Sequence, residues 1–72
     1  MNTIALKIIM IKNGDNGLTL SRYLGISRST LSAKMSKNSK SEFTQNEILK
    51  IKKKYNLTAY EVDEIFFDSV VS

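Results

Sequence analysis

Seventy-two residues without cysteine or histidine allow one domain with a small apolar interior. They exclude a disulfide framework, a thiolate or imidazole metal site and the commonest catalytic bases and nucleophiles. The net charge of +4 is unevenly spread: every Lys and Arg falls in residues 1–54 beside Asp15, Glu42 and Glu47, whereas residues 55–72 carry Glu61, Asp63, Glu64 and Asp68 and no base.

At the start of the chain, Ile4, Ile8 and Ile11 recur at helical spacing with Ala5 and Ile9 beside them, and Asn13-Gly14 supplies a stop. The expectation is a first helix over about residues 3–12 with these three isoleucines on one face. Because Leu6 to Ile11 is rich in β-branched residues, a short strand is the open alternative. Its longest apolar run, Ile8 to Ile11, is far below the roughly 20 residues that span a bilayer, and no signal-peptide pattern precedes it, so the expected compartment is the cytoplasm.

Asn16 can cap a second helix running to Leu24, where Gly25 breaks the chain, and Ser27 can cap a third helix reaching Met35 or Ser36. The stretch 37–41, Lys-Asn-Ser-Lys-Ser, is a polar, basic linker with no apolar anchor. Beyond it, Thr44 with Glu47 reads as a capping box and Phe43 with Ile48 as a hydrophobic staple, which start a fourth helix at Gln45. Its stripe of Ile48, Ile51 and Tyr55 ends at Asn56, a residue that tolerates the left-handed conformation. The device repeats with Thr58 and Glu61 as box and Leu57 and Val62 as staple, giving a fifth helix over 59–66 with Ile65 and Phe66 inward. The expected fold is all-α, with five short helices in one domain spanning 1–72.

Between Asp15 and Glu42 stand Arg22, Arg28, Lys34, Lys37 and Lys40 with no acid among them. Such a run suits a polyanion through counterion release, and a solvated basic face is the plainer alternative. The same stretch holds two short helices around a tight turn. Gly25 can take the positive φ the turn needs, Ser21 is small enough for a close helix crossing, and Leu20, Leu24, Ile26 and Leu31 fill the angle between the helices.

The run Tyr23-Leu24-Gly25-Ile26-Ser27-Arg28-Ser29-Thr30-Leu31-Ser32 resembles the helix-turn-helix of temperate-bacteriophage regulators of the Cro and CI repressor-like class. With Phe43-Thr44-Gln45-Asn46-Glu47-Ile48 and Glu64-Ile65-Phe66-Phe67, the resemblance extends over about residues 4–67. It is strongest toward the small Cro-like or modulator-of-repression (MOR) type of Gram-positive phages. Two positions depart from the pattern. Gly17 replaces the Gln or Thr often found at the first residue of the motif, and Lys34 stands where many members carry an apolar residue, whose packing Met35 is expected to take over.

The resemblance implies a compact, five-helix, lambda-repressor-like domain whose helix-turn-helix, residues 17–36, binds double-stranded operator DNA in a lysis-lysogeny switch. It implies that the third helix enters the major groove with Ser27, Arg28, Ser29 and Ser32 toward the bases. Arg28 is the specificity candidate, since its fork can donate twice to guanine. Arg22, Lys34, Lys37 and Lys40 are then expected on phosphates. The alternative it implies is a modulator that binds a CI-type repressor.

Phe66, Phe67, Val70 and Val71 make the end of the chain unusually apolar beside acidic residues. They are expected to contact a repressor or a second copy, unless the phenylalanines close the core. Glu61, Asp63, Glu64 and Asp68 lack the alternating-oxygen loop of a calcium site and read as a solvated face. No cofactor, metal or enzymatic activity is expected.

Overall fold

The computed structural model describes residues 2–36 and 42–67. The chain forms α1 (Thr3–Lys12), α2 (Gly17–Leu24), α3 (Arg28–Met35), α4 (Gln45–Tyr55) and α5 (Ala59–Phe66). Among the described residues there is no strand, so the strand alternative for residues 6–11 is resolved as helix. The radius of gyration is 11.3 Å, close to the roughly 11 Å of a fully collapsed chain of this length. No described helix is long and apolar enough to cross a membrane. The expectations for the linker and for the last residues fall on 37–41 and 68–72, outside the described residues.

Each helix begins where its cap predicts. Asn2 caps α1 by accepting from the Ala5 amide. Asn16 and Thr19 exchange hydrogen bonds reciprocally at the start of α2, Ser27 accepts from the Thr30 amide at α3, and both Thr-x-x-Glu boxes close at α4 and α5. Ends are equally local. Gly25 closes α2 at φ +76° and Asn56 closes α4 at φ +53°, the left-handed conformations that let orphan carbonyls find amides.

A Cβ on Gly25 would meet nothing within 4 Å, so the demand for glycine comes from backbone conformation alone. Gly25→Ala is expected to cost about 1 kcal/mol, lowering the melting temperature by roughly 4–8 °C. A calorimetric scan checks it.

The core is Leu6, Met10, Leu20, Leu24, Leu31, Phe43, Ile51, Leu57, Val62 and Ile65, with Ile9, Ile26, Met35, Ile48, Tyr55 and Phe66 packed against it. Phe66 meets Phe43 edge to face at 5.5 Å. The interior of the α2–turn–α3 unit is as expected, and Ser21, almost wholly buried, donates to the Leu18 carbonyl. The first helix turns its isoleucine stripe away from the core. Leu6 and Met10 are buried, while Ile4, Ile8 and Ile11 are 63%, 48% and 74% exposed. The reason is visible in the lysines. At 100° per residue, Lys7 and Lys12 bracket the isoleucine face, so burying that face would drag both ammonium groups toward the core, whereas the Leu6–Met10 face leaves them in water.

Candidate nucleic-acid interface

The α2–turn–α3 unit is held from three sides. The Thr3 hydroxyl donates to the Met35 carbonyl at 2.8 Å, tying the start of α1 to the end of α3. The loop before α2 is fixed by Asp15, which accepts from the Tyr55 hydroxyl at 2.7 Å and from the Thr19 hydroxyl at 2.8 Å and lies 3.5 Å from the Lys54 ammonium. That ammonium also sits 4.7 Å from the Tyr23 ring centroid. The third tie is Lys34, whose Nζ is 3.0 Å from Glu47 Oε1 and donates to the Glu42 carbonyl at 3.0 Å.

Lys34, expected at a phosphate, is engaged within the fold. Its side chain and that of Glu47 are each 12% exposed, and the same Glu47 oxygen accepts from the Thr44 amide in the capping box. The cation is spent on joining α3 to α4, while Met35 takes the packing role. The position that departs from an apolar pattern is a mostly buried ion pair.

Both carboxylates in these ties are held below their ordinary range. Burial by itself would raise Asp15, but the hydrogen bonds from Tyr55 and Thr19 and the Lys54 charge outweigh it. Burial would likewise raise Glu47, and the Thr44 amide and Lys34 outweigh that. The Tyr55 hydroxyl is pushed up, by burial first and then by its bond to Asp15.

A carboxylate whose folded pKa is depressed adds stability that is present above its unfolded pKa and lost as pH falls through the folded value. The ordinary values are 3.8 for Asp15 and 4.5 for Glu47. Melting temperature is therefore expected to hold steady down to about pH 5 and to fall progressively below it. The double variant Asp15→Asn, Glu47→Gln should be less stable at neutral pH and lose less on acidification, which thermal melts across that range test.

With its inner side committed, α3 presents Arg28, Ser29, Ser32 and Ala33 to solvent. With Ser36 they line a shallow, open concavity. Small side chains along one face let a surface approach the helix closely, and the one long side chain, Arg28, stands at its first turn. No carboxylate lies within ion-pair distance of Arg28 or Arg22 among the described residues, and Arg22 is exposed on α2. A Cβ at Gly17 would lie 3.8 Å from Arg28 Nε, so the departure at Gly17 leaves open the space beside the arginine.

Ser27 differs from its neighbours. Its hydroxyl accepts from the Thr30 amide at 3.0 Å and donates to Thr30 Oγ1 at 2.8 Å, so the helix cap occupies it. Lys37 and Lys40 lie outside the described residues. Ala33 and Ser36 were missed by sequence reasoning, although they stand one helical turn beyond Ser29 and Ser32, a signal the spacing carried. Of the expected contact residues at the chain end, Phe66 is half-buried against Phe43, Phe67 is exposed, and Val70 and Val71 lie outside the described residues.

Compared with protein-family models, with curated proteins and with solved structures, the chain finds no match in any of the three.

Proposed function

We propose that this protein is a phage transcriptional regulator of a lysis-lysogeny switch, acting in the bacterial host cytoplasm and binding operator DNA through α2, the Gly25 turn and α3. The observation that carries the reading is the outer face of α3: Arg28, Ser29, Ser32 and Ala33 are exposed together on a helix whose other side is anchored by Leu31, Thr3 and Lys34. A rigid helix with a small-residue face fits the major groove, where Arg28 donates to guanine, the serine hydroxyls reach base edges and the Ala33 methyl meets thymine. Arg22 contributes a phosphate contact from α2.

Fluorescence anisotropy titrations of the chain's own promoter duplex and of a random duplex, repeated over a salt series, test the reading. The expected result is preference for the promoter and an affinity that falls steeply with salt. Equal, salt-insensitive affinity for both duplexes would overturn it. The exposed aromatics and carboxylates of α5 and its C-cap, Tyr60, Asp63, Glu64 and Phe67, favour a second reading in which the chain modulates a CI-type repressor. Adding that repressor to the titration separates the two, since a modulator changes promoter occupancy only in its presence.

A further inference from the structure

Two helices carry outward faces that the core does not use, and the faces match in length and oppose in charge. On α1, Ile4, Ile8 and Ile11 form an exposed apolar stripe with the exposed ammonium stems of Lys7 and Lys12 on either side. On α5 and at its C-cap, Tyr60 and Phe67 are 74% and 55% exposed, and the exposed Asp63 and Glu64 lie at the spacing that places them on either side of the aromatic pair. The helices are 10 and 8 residues long, roughly 15 and 12 Å. We infer that the α1 face of one copy of this chain docks against the α5 face of a second copy, isoleucines on aromatic rings and lysines on carboxylates.

Complementarity selects this partner. Pairing α1 with α1 would set lysine against lysine, and pairing α5 with α5 would set carboxylate against carboxylate, whereas α1 on α5 matches both apolar stripe and charge. Each chain offers one face of each kind, so a copy can give its α1 face to one contact and its α5 face to another. Three exposed isoleucines on one face and two exposed aromatic residues on the other make a small contact beside the roughly 20–30 residues a side of a standard interface. The association is accordingly weak and concentration-dependent. It shares no residue with the outer face of α3 and does not depend on the DNA-binding reading.

Sedimentation equilibrium without DNA, from about 10 µM to about 1 mM, the range where a small interface populates dimers, tests it. Wild type is expected to associate reversibly, and Ile8→Glu, with helicity checked by circular dichroism, to raise the dissociation constant at least about tenfold. Lys7→Glu and Glu64→Lys should each weaken association several-fold, and an equimolar mixture of these two variants should associate about as tightly as wild type, because mixing restores opposite charges at both contacts. A wild-type chain that stays monomeric throughout, an Ile8→Glu chain that associates unchanged, or a mixture no tighter than either variant alone would each overturn the proposal. The monomeric result would assign both faces to a different protein.

Discussion

Glu47→Ala is expected to destabilise the fold by about 2–3 kcal/mol, a melting-temperature drop of roughly 10–20 °C for a domain of this size. The carboxylate does two jobs with one oxygen: it accepts the Thr44 amide in the α4 capping box at 2.8 Å and the Lys34 ammonium at 3.0 Å. Removing it opens the box and leaves a mostly buried lysine with, among the described residues, the Glu42 carbonyl and the face of the Phe43 ring in place of a carboxylate. The chain contains its own control. Glu61 closes the equivalent box on α5 through the Thr58 amide at 2.9 Å but pairs with no cation among the described residues, so Glu61→Ala should cost less than about 1 kcal/mol. Lys34→Ala should approach the Glu47→Ala loss, and the double variant should lose less than the sum of the singles, because both break one interaction. Denaturant melts of the four proteins check this. If Lys34→Ala left stability unchanged, the pair would not be the tie between α3 and α4.

Arg28→Ala is expected to reduce promoter affinity by about 1–3 kcal/mol, roughly 5- to 150-fold, while reducing affinity for random DNA far less. The physical basis is the planar fork, which matches two guanine acceptors, on a helix whose position three anchors fix. Arg28→Lys keeps the charge and loses the fork, so it should retain general affinity and recover little of the preference. Arg22→Ala should instead weaken every duplex about equally and lower the salt slope by about one. Parallel anisotropy titrations on promoter and random duplexes measure each ratio. An unchanged ratio for Arg28→Ala would remove Arg28 from base reading while leaving the fold intact.

Helix boundaries were legible because they are decided within a few residues. Asn16, Ser27, Thr44 and Thr58 each hydrogen-bond an amide three positions on, and Gly25 and Asn56 end their helices by backbone conformation. The orientation of α1 was not legible, since that helix is apolar on nearly every side and periodicity alone does not choose a face. Lys7 and Lys12 held the missing information, as flanks that must stay wet.

The role of Lys34 was hidden for a different reason. Its partner, Glu47, is thirteen positions away, and a lysine between two basic neighbours reads as part of a cationic run until tertiary contact assigns it. The Asp15–Tyr55 bond, forty positions apart, was beyond reach on the same ground. The outer face of α3 was readable in Arg28, Ser29 and Ser32. Ser27 stood among them because a cap residue and a base contact share one small hydroxyl type.

The central claim, that the outer face of α3 meets duplex DNA, is tested most directly by following the backbone amides of isotopically labelled protein as its promoter duplex is added. The account predicts that the largest shift changes cluster at Arg28, Ser29, Ser32 and Ala33, with a lesser set at the start of α2 and at Arg22, while Asp63 and Glu64 on α5 stay in place. Shifts confined to α1 and α5, or none at any duplex concentration, would contradict it.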